Sequence, residues 1–306
     1  MGMSGTYGPF DEREGIATIH AALDRGVNLL DTGDYYNAGK NELLIGHALR
    51  DRRDEALVSV KFGALRSPDG AWLGIDTRPV AVKNSLGHTL SRLGLDHVDV
   101  YRPGRLDPNV PIEDTVGAIA EMVQAGWVRA IGLSEVGPET IRRAHAVHPI
   151  ADVQLEWSLV SRSLEAKILP VVRELGIGIT AYGALSRGLL TGSAPTAKGD
   201  LRAHLPRFSA ENLERNRELV ERLRALAAEK RCTPAQLAIA WSLSRGEDVV
   251  PVIGARTPAQ LEEALGAVDV ALSPEEADRL AEAITPAEVA GTRYDERQMK
   301  SLDSET

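Results

Sequence analysis

The sequence has little cysteine, few aromatic residues and no excess of positive charge, and these shortages exclude several classes of protein. One cysteine, Cys232, occurs in 306 residues, so no disulfide can form within the chain. The net charge of −9 argues against nucleic acid and anionic membranes as partners. No apolar run approaches the roughly 20 residues of a transmembrane helix, and the first nine residues lack the features of a signal peptide. We therefore expect a cytoplasmic protein.

Short apolar runs alternate with amphipathic segments along the rest of the chain. Such alternation predicts a parallel sheet that is buried on both faces by helices. Strands are predicted at 27–30, 56–61, 98–101, 128–133, 152–157, 177–182 and 249–254. Helices are predicted at 11–26, 41–50, 77–93, 114–125, 138–147, 164–175, 210–230 and 234–245, with two more opening at Thr257 and Ser273.

Seven strands and a stub near the N-terminus predict a closed (β/α)8 TIM barrel, with residues 1–306 as a single domain. Either its first strand is truncated or the true start of the chain lies upstream of Met1. An open doubly wound sheet is the alternative. The glycine-rich run that begins at Gly176 precedes a strand instead of following one, which favours the barrel. The polar tail from about Pro286 is expected to cross the surface.

Two of the predicted strands end in ionisable residues. Asp31 follows the first apolar run, Lys61 ends the second, and Tyr36 lies five residues beyond Asp31. Neighbouring strands would place Asp31 beside Lys61, with Tyr36 above them. The ammonium would lower the pKa of the phenol, so Tyr36 could donate a proton near neutral pH. An ordinary structural ion pair beside a loop tyrosine is the alternative.

Polar residues also follow the other predicted strands. Ser134 and Gln154 have the groups to hydrogen-bond a carboxamide, and Tyr182 can stack on a flat ring. The run 186–188 and Arg256 offer positive charge and backbone N–H groups to phosphates. Each has a structural alternative: a helix cap for Ser134, a satisfied buried amide for Gln154 and a solvated side chain for Arg256. Their common position at one barrel face favours a binding site.

Six runs of the sequence resemble the aldo-keto reductases, in the right order over nearly the whole chain. They are 30–36, 41–42, 60–63, 105–108, 132–135 and 181–188. The resemblance is greatest to the bacterial branch with pyridoxal-reductase-like and channel-β-subunit-like members. It implies an NADPH-dependent barrel without a Rossmann fold, which reduces a small aldehyde or ketone. No cluster of His, Asp and Glu residues in the sequence has the spacing of metal ligands, so we expect no metal site. Pyridoxal is a candidate substrate by analogy with that branch.

The resemblance also assigns roles to residues. It implies that Tyr36 is the proton donor, that Lys61 lowers its pKa and that Asp31 anchors Lys61. It places the nicotinamide carboxamide at Ser134 and Gln154. The remaining predicted cofactor-binding residues are Tyr182, which stacks on the ring, and Leu185, Arg187, Gly188, Gly254, Arg256 and Gln260.

The sequence departs from the family pattern at two places in the site. Gly104 stands where the family has a histidine that orients the substrate carbonyl and donates a hydrogen bond to it. Arg102 or a water molecule is a candidate replacement. Gln260 and Ala264 occupy positions where the family often carries arginine and asparagine, so NADH stays open beside NADPH.

Two other functions remain as alternatives to a reductase. Gly104 supports a nicotinamide-binding sensor or regulatory subunit with vestigial catalysis, whereas the intact Asp31, Tyr36 and Lys61 argue against it. A lyase or isomerase with Lys61 as a Schiff-base amine would need an uncharged lysine, which a neighbouring Asp31 opposes. The physiological substrate and the oligomeric state cannot be predicted from the sequence.

Overall fold

The computed structural model describes residues 3, 5, 10–195 and 199–305. The predicted stub of a first strand falls on residues that lie mostly outside these ranges. Within them, no helix has both the length and the apolar character needed to cross a membrane.

Seven parallel strands within the described ranges form one nearly closed sheet of the (β/α)8-barrel class, in the same order as they follow along the chain. The alternation predicted from the apolar runs is therefore confirmed. The seven strands are β1 (Leu29–Gly33), β2 (Leu57–Phe62), β5 (Val98–Pro103), β6 (Val128–Ser134), β7 (Ile150–Glu156), β8 (Gly178–Tyr182) and β9 (Val249–Val252). A separate antiparallel hairpin, which the sequence patterns do not predict, consists of β3 (Ala64–Arg66) and β4 (Trp72–Ile75).

Helices follow the barrel strands and cover the outside of the sheet. The α-helices are α1 (Glu12–Asp24), α2 (Lys40–Leu49), α3 (Pro79–Leu93), α4 (Ile112–Gln124), α5 (Pro138–Val147), α6 (Leu164–Glu174), α7 (Ala210–Glu229), α8 (Pro234–Leu243), α9 (Pro258–Leu265), α10 (Pro274–Ala283) and α11 (Glu296–Lys300). Short 3₁₀ helices are Arg53–Glu55, Ser186–Thr191, Leu201–His204, Pro206–Phe208, Gly266–Asp269, Pro286–Glu288 and Asp303–Glu305.

Polar side chains fix the start of several helices, as the sequence predicts. Asp11, Thr257 and Ser273 each accept a hydrogen bond from the backbone N–H three residues later, at 3.0, 3.2 and 3.2 Å. These bonds satisfy N–H groups that have no partner inside the helix. Proline at the first helical position after Thr257 and Ser273 costs no hydrogen bond for the same reason.

Among the described strands, β1 and β9 are the two edges of the sheet and are not hydrogen-bonded to each other. Helix packing joins the two edges instead. Ala22 of α1 and Leu261 of α9 share a small apolar cluster with Ala255. Arg25 pairs with Glu262 on the outside of this contact. The loop after β9 is thereby held beside α1.

The strand register determines which side chains face the barrel interior. Asp31 is the Cα partner of Ser59, and Gly33 is the partner of Lys61. Strand β1 continues to Gly33, so Asp31 lies within the strand and not just after it. Because side chains alternate between the two faces of a strand, Ser59 and Lys61 project to the same side.

Candidate active site

A buried ion pair forms the base of the site. Lys61 Nζ lies 2.5 Å from Asp31 Oδ2, with the two side chains 4% and 9% exposed. The other carboxylate oxygen, Oδ1, accepts hydrogen bonds from Ser59 Oγ at 3.1 Å and from Gln154 Nε2 at 2.9 Å. The Asp31 carboxylate is thus held by donors from β2 and β7. This arrangement fixes the position of the Lys61 ammonium.

Burial and charge act on the two pKa values in different ways. Burial alone would raise the pKa of Asp31, but Lys61 and Arg102 outweigh it, so this pKa is below its usual value. Burial lowers the pKa of Lys61, and Asp31 opposes that change only in part. A charged carboxylate therefore lies against a lysine whose proton is held less tightly than in water.

Arg102 is the register partner of Lys61 on the neighbouring strand β5, and both terminal nitrogens of its guanidinium are hydrogen-bonded inside the barrel. Its Nη1 donates to Asp152 Oδ2 and its Nη2 donates to Ser59 Oγ, both at 2.8 Å. Asp152 in turn accepts a hydrogen bond from Thr180 Oγ1. The side chain of Arg102 is 1% exposed, so it does not serve as the replacement donor considered at Gly104.

Tyr36 follows β1 on a tight turn. Its backbone N–H donates to Gly33 O at 2.9 Å, and the next residues, Asn37 and Ala38, have left-handed backbone angles with φ of 48° and 51°. Lys61 Nζ lies 5.3 Å from the centroid of the Tyr36 ring. The edge of one ring meets the face of the other between Tyr35 and Tyr36, with centroids 5.0 Å apart.

Ser134 and Gln154 lie on neighbouring strands as direct register partners. The hydroxyl oxygen of Ser134 is buried, and no hydrogen bond to it is found within the described ranges. Gln154 uses its Nε2 on Asp31, which leaves its Oε1 as an acceptor. An orphaned buried hydroxyl beside an amide oxygen fits a ligand carboxamide, which has both a donor and an acceptor.

The hydroxyl of Tyr182, at the end of β8, is anchored by a charged group. It donates to Glu135 Oε1 at 2.8 Å, and Arg293 Nη1 lies 3.3 Å from it. Burial and the Glu135 carboxylate raise the pKa of Tyr182 well above its ordinary value. The phenol is therefore neutral and its ring is fixed at the barrel mouth.

The chain beyond residue 286 packs onto the strand ends, in contrast to the surface course expected from its polar sequence. Arg293 is buried and pairs with Glu135 at 2.6 Å and with Glu305 at 2.7 Å. Ser304 Oγ also donates to Glu135 Oε2 at 2.6 Å. Burial would raise the pKa of Glu135, but Arg293 lowers it to about 2. No signal near residue 135 in the sequence indicates this partner, which lies 158 residues away.

The segment after β8 has an unusual backbone. Three consecutive residues, Ser186, Arg187 and Gly188, have positive φ angles of 46°, 56° and 94°. The Arg187 guanidinium lies 3.2 Å from the Glu156 carboxylate and is mostly buried. The guanidinium points towards the protein interior in this structure. To bind a phosphate of the cofactor, Arg187 would have to leave Glu156.

The loop after β9 lies next to this segment, because Leu185 and Ile253 pack against the same apolar cluster. Gly254, Arg256 and Gln260 are exposed there. The Arg256 backbone N–H donates to Gln260 Oε1 at 2.9 Å, at the start of α9. Arg187 and Arg256, both predicted to bind the cofactor phosphates, therefore lie on adjacent loops after β8 and β9.

Comparisons with known proteins show the family to which the chain belongs. The profile of the aldo/keto reductase family matches residues 1–285. The chain is 45% identical to "Probable aldo-keto reductase 1" of Glycine max, over 96% of this chain and 86% of that protein. The glycerol dehydrogenase AKR11B4 from Gluconobacter oxydans superposes with a TM-score of 0.83 at 30% identity, covering 93% of this chain and 90% of that one. The thermostable aldo-keto reductase Tm1743, solved with the inhibitor epalrestat, superposes with a TM-score of 0.72 at 26% identity. That match covers 92% of this chain and 93% of that one. The chain belongs to the aldo/keto reductase family and is an oxidoreductase.

Proposed function

We propose that this protein uses NADPH to reduce a small aldehyde or ketone to the alcohol in the cytoplasm, with Tyr36 as the proton donor. The observation that carries the proposal is the buried Asp31–Lys61 pair, whose ammonium lies 5.3 Å from the Tyr36 ring centroid. A cation at that distance stabilises the phenolate that forms when Tyr36 gives up its proton. The bound nucleotide would supply the hydride.

Each member of the pair has a separate task in this proposal. Lys61 provides the positive charge next to the Tyr36 ring. Asp31 keeps Lys61 in place through the 2.5 Å ion pair. Gln154 connects the pair to the cofactor side, since it donates to Asp31 through Nε2 and offers Oε1 to the carboxamide. Ser134 offers its unpaired hydroxyl to the same group.

The preference between the two nucleotides rests on residues near α9. NADPH carries a 2′-phosphate that NADH lacks, and a cation is the usual recognition group for it. Arg256 is exposed at the start of α9, beside Gln260. We therefore propose NADPH as the preferred cofactor. An Arg256→Gln variant should lose affinity for NADPH and keep its affinity for NADH, as measured by fluorescence titration.

The test of the proposed function is NADPH oxidation with a panel of carbonyls, including pyridoxal and glyceraldehyde. The second compound is included because one structural relative is named a glycerol dehydrogenase. Tyr36→Phe should bind NADPH like the wild type and lose turnover by more than 10²-fold. Tyr101→Phe is the matched control, because it also removes one hydroxyl, which donates to Val82 O inside the core. It should keep its activity.

A sensor or regulatory subunit would give a different result in this experiment. It would bind NADPH tightly and show no turnover that depends on Tyr36, on any carbonyl in the panel. The glycine at position 104 is the feature in favour of that function. Absence of Tyr36-dependent turnover would therefore refute the reductase and leave nucleotide binding as the function of the barrel.

A further inference from the structure

The space beside Gly104 is filled by the side chain of Tyr35. A Cβ atom at Gly104 would lie 3.0 Å from Tyr35 Oη and 3.3 Å from Tyr35 Cε1. A Cβ atom at Gly33, at the end of β1, would lie 3.3 Å from Tyr35 Cε1 and Cζ. Both distances are closer than side chains normally approach. The two glycines therefore form a slot that admits the phenol ring of Tyr35.

The backbone of Gly104 does not itself require glycine. Its φ is outside the left-handed region, unlike that of 15 other glycines in the described part of the chain. Its N–H makes an ordinary hydrogen bond to Phe62 O at 2.8 Å. A larger residue would be opposed mainly by the Tyr35 ring, although its Cβ would also lie 3.3 Å from the backbone oxygen of Phe62. The presence of glycine at 104 is thus explained by the presence of tyrosine at 35.

The hydroxyl of Tyr35 is available as a hydrogen-bond donor. Within the described ranges no residue forms a hydrogen bond with it, and the side chain is only partly buried. Burial raises the pKa of Tyr35 above its ordinary value, against the influence of Arg105. The phenol therefore keeps its proton at any pH at which the enzyme would work. A neutral donor without an internal partner lies next to the proposed proton donor, Tyr36.

We propose that the Tyr35 hydroxyl donates a hydrogen bond to the substrate carbonyl oxygen and so takes the part of the histidine absent at Gly104. This inference rests on the proposed reductase function. The reduction adds a hydride to the carbonyl carbon and the Tyr36 proton to the oxygen. Tyr35 keeps its own proton throughout and orients and polarises the carbonyl. Two phenols then contact the substrate oxygen, Tyr36 as the proton donor and Tyr35 as a hydrogen-bond donor.

The first experiment compares Tyr35→Phe with the wild type and with Tyr36→Phe. The phenylalanine ring still fills the slot between Gly33 and Gly104, so the fold and the Kd for NADPH should stay unchanged. Loss of one positioned donor should lower kcat/KM by about 10²- to 10³-fold. Because Tyr35 does not titrate in the working range, the loss should be the same at every pH from 6 to 9. A purely structural role for Tyr35 would not give this pattern.

The second experiment exchanges one donor for the other. Gly104→His alone should be impaired, because its side chain meets Tyr35 Oη. The double variant Tyr35→Ala/Gly104→His opens the slot and places an imidazole there. It should be at least tenfold more active than Tyr35→Ala alone, with the same NADPH affinity.

The outcomes separate the two proposals. If Tyr35→Phe keeps the wild-type kcat/KM while Tyr36→Phe is inactive, the role of Tyr35 is refuted and the reductase function stands. If the wild type itself reduces no carbonyl in the panel, the proposed function fails and this inference fails with it. A double variant that stays at the level of Tyr35→Ala would also count against Tyr35 as the replacement for the histidine, whatever its stability.

Discussion

Asp34 should make the protein less stable as the pH rises from about 4 to about 7. Its Oδ1 atom is buried without a hydrogen-bond partner in the described part of the chain. Burial, together with the Glu42 carboxylate, raises the pKa of Asp34 from 3.8 to about 7, against the influence of Arg92. The folded protein therefore holds a proton on Asp34 between these two pH values that the unfolded chain has lost.

The sign and size of the effect follow from this difference. Because the folded state binds more protons between pH 3.8 and about 7, the free energy of unfolding falls as the pH rises across that window. A rise of the pKa from 3.8 to about 7 corresponds to about 4 kcal/mol. Asn at this position stays neutral at every pH. Asp34→Asn should therefore match the wild type near pH 4 and exceed it by several kcal/mol at pH 8.

Urea unfolding of the nucleotide-free protein, followed by circular dichroism at steps between pH 4 and 8, measures this difference. Asp69→Asn serves as a control, since the Ser67 hydroxyl lowers the pKa of the exposed Asp69. Its stability relative to the wild type should not change between pH 5 and 8. The reasoning is refuted if the curves for Asp34→Asn and the wild type run parallel from pH 5 to 8.

Two further predictions concern packing and charge. A Cβ at Gly46 of α2 would lie 2.4 Å from Leu93 O of α3, whereas one at Gly87 meets nothing within 4 Å. Gly46→Ala should therefore destabilise the protein by about 1–3 kcal/mol, and Gly87→Ala should stabilise it by about 0.5–1 kcal/mol. Urea unfolding measures both changes, and equal free energies of unfolding for the two variants would contradict the close contact between α2 and α3. Arg293→Met leaves the buried Glu135 carboxylate without its cation and should cost about 3–5 kcal/mol at pH 7. Because the pKa of Glu135 is about 2 in the fold, this loss should shrink as the pH falls from 4.5 towards 2, and a loss that is independent of pH would argue against the pair.

The parts of the fold that could be predicted from the sequence depend on local patterns. The barrel strands are continuous apolar runs, and Asp31 and Lys61 stand out because each interrupts such a run near its end. The hairpin of β3 and β4 was not predicted, because it has no buried apolar run: Leu65, Trp72 and Leu73 are exposed. Strand ends also differ by up to three residues, since hydrogen bonding to a neighbour extends β1 past Asp31.

Other features could not be predicted, because they depend on contacts between distant residues. The slot for Tyr35 is formed by Gly33 at the end of β1 and Gly104 just after β5, and neither glycine has a local signal that points to a tyrosine. Arg293 looks like one more polar residue of a surface tail, yet it neutralises Glu135 across 158 residues of sequence. The alternation of side chains along a strand could have identified one more residue of the barrel interior. Ser59 lies two residues before Lys61, so the two side chains share a face of β2.

The buried charges in the barrel are balanced, and that balance determines what Lys61 can do. Two cations, Lys61 and Arg102, lie among two carboxylates, Asp31 and Asp152. Four buried charges are tolerable only if each has a partner, because an isolated one would cost several kcal/mol. Arg102 lowers the pKa of Lys61, and Asp152 holds Arg102 at 2.8 Å. Replacement of Asp152 would therefore leave Arg102 to compete with Lys61 for Asp31, and the cation next to Tyr36 would lose its fixed position. Asp152 thus supports the proposed proton donor from two residues away, through Arg102 and Lys61.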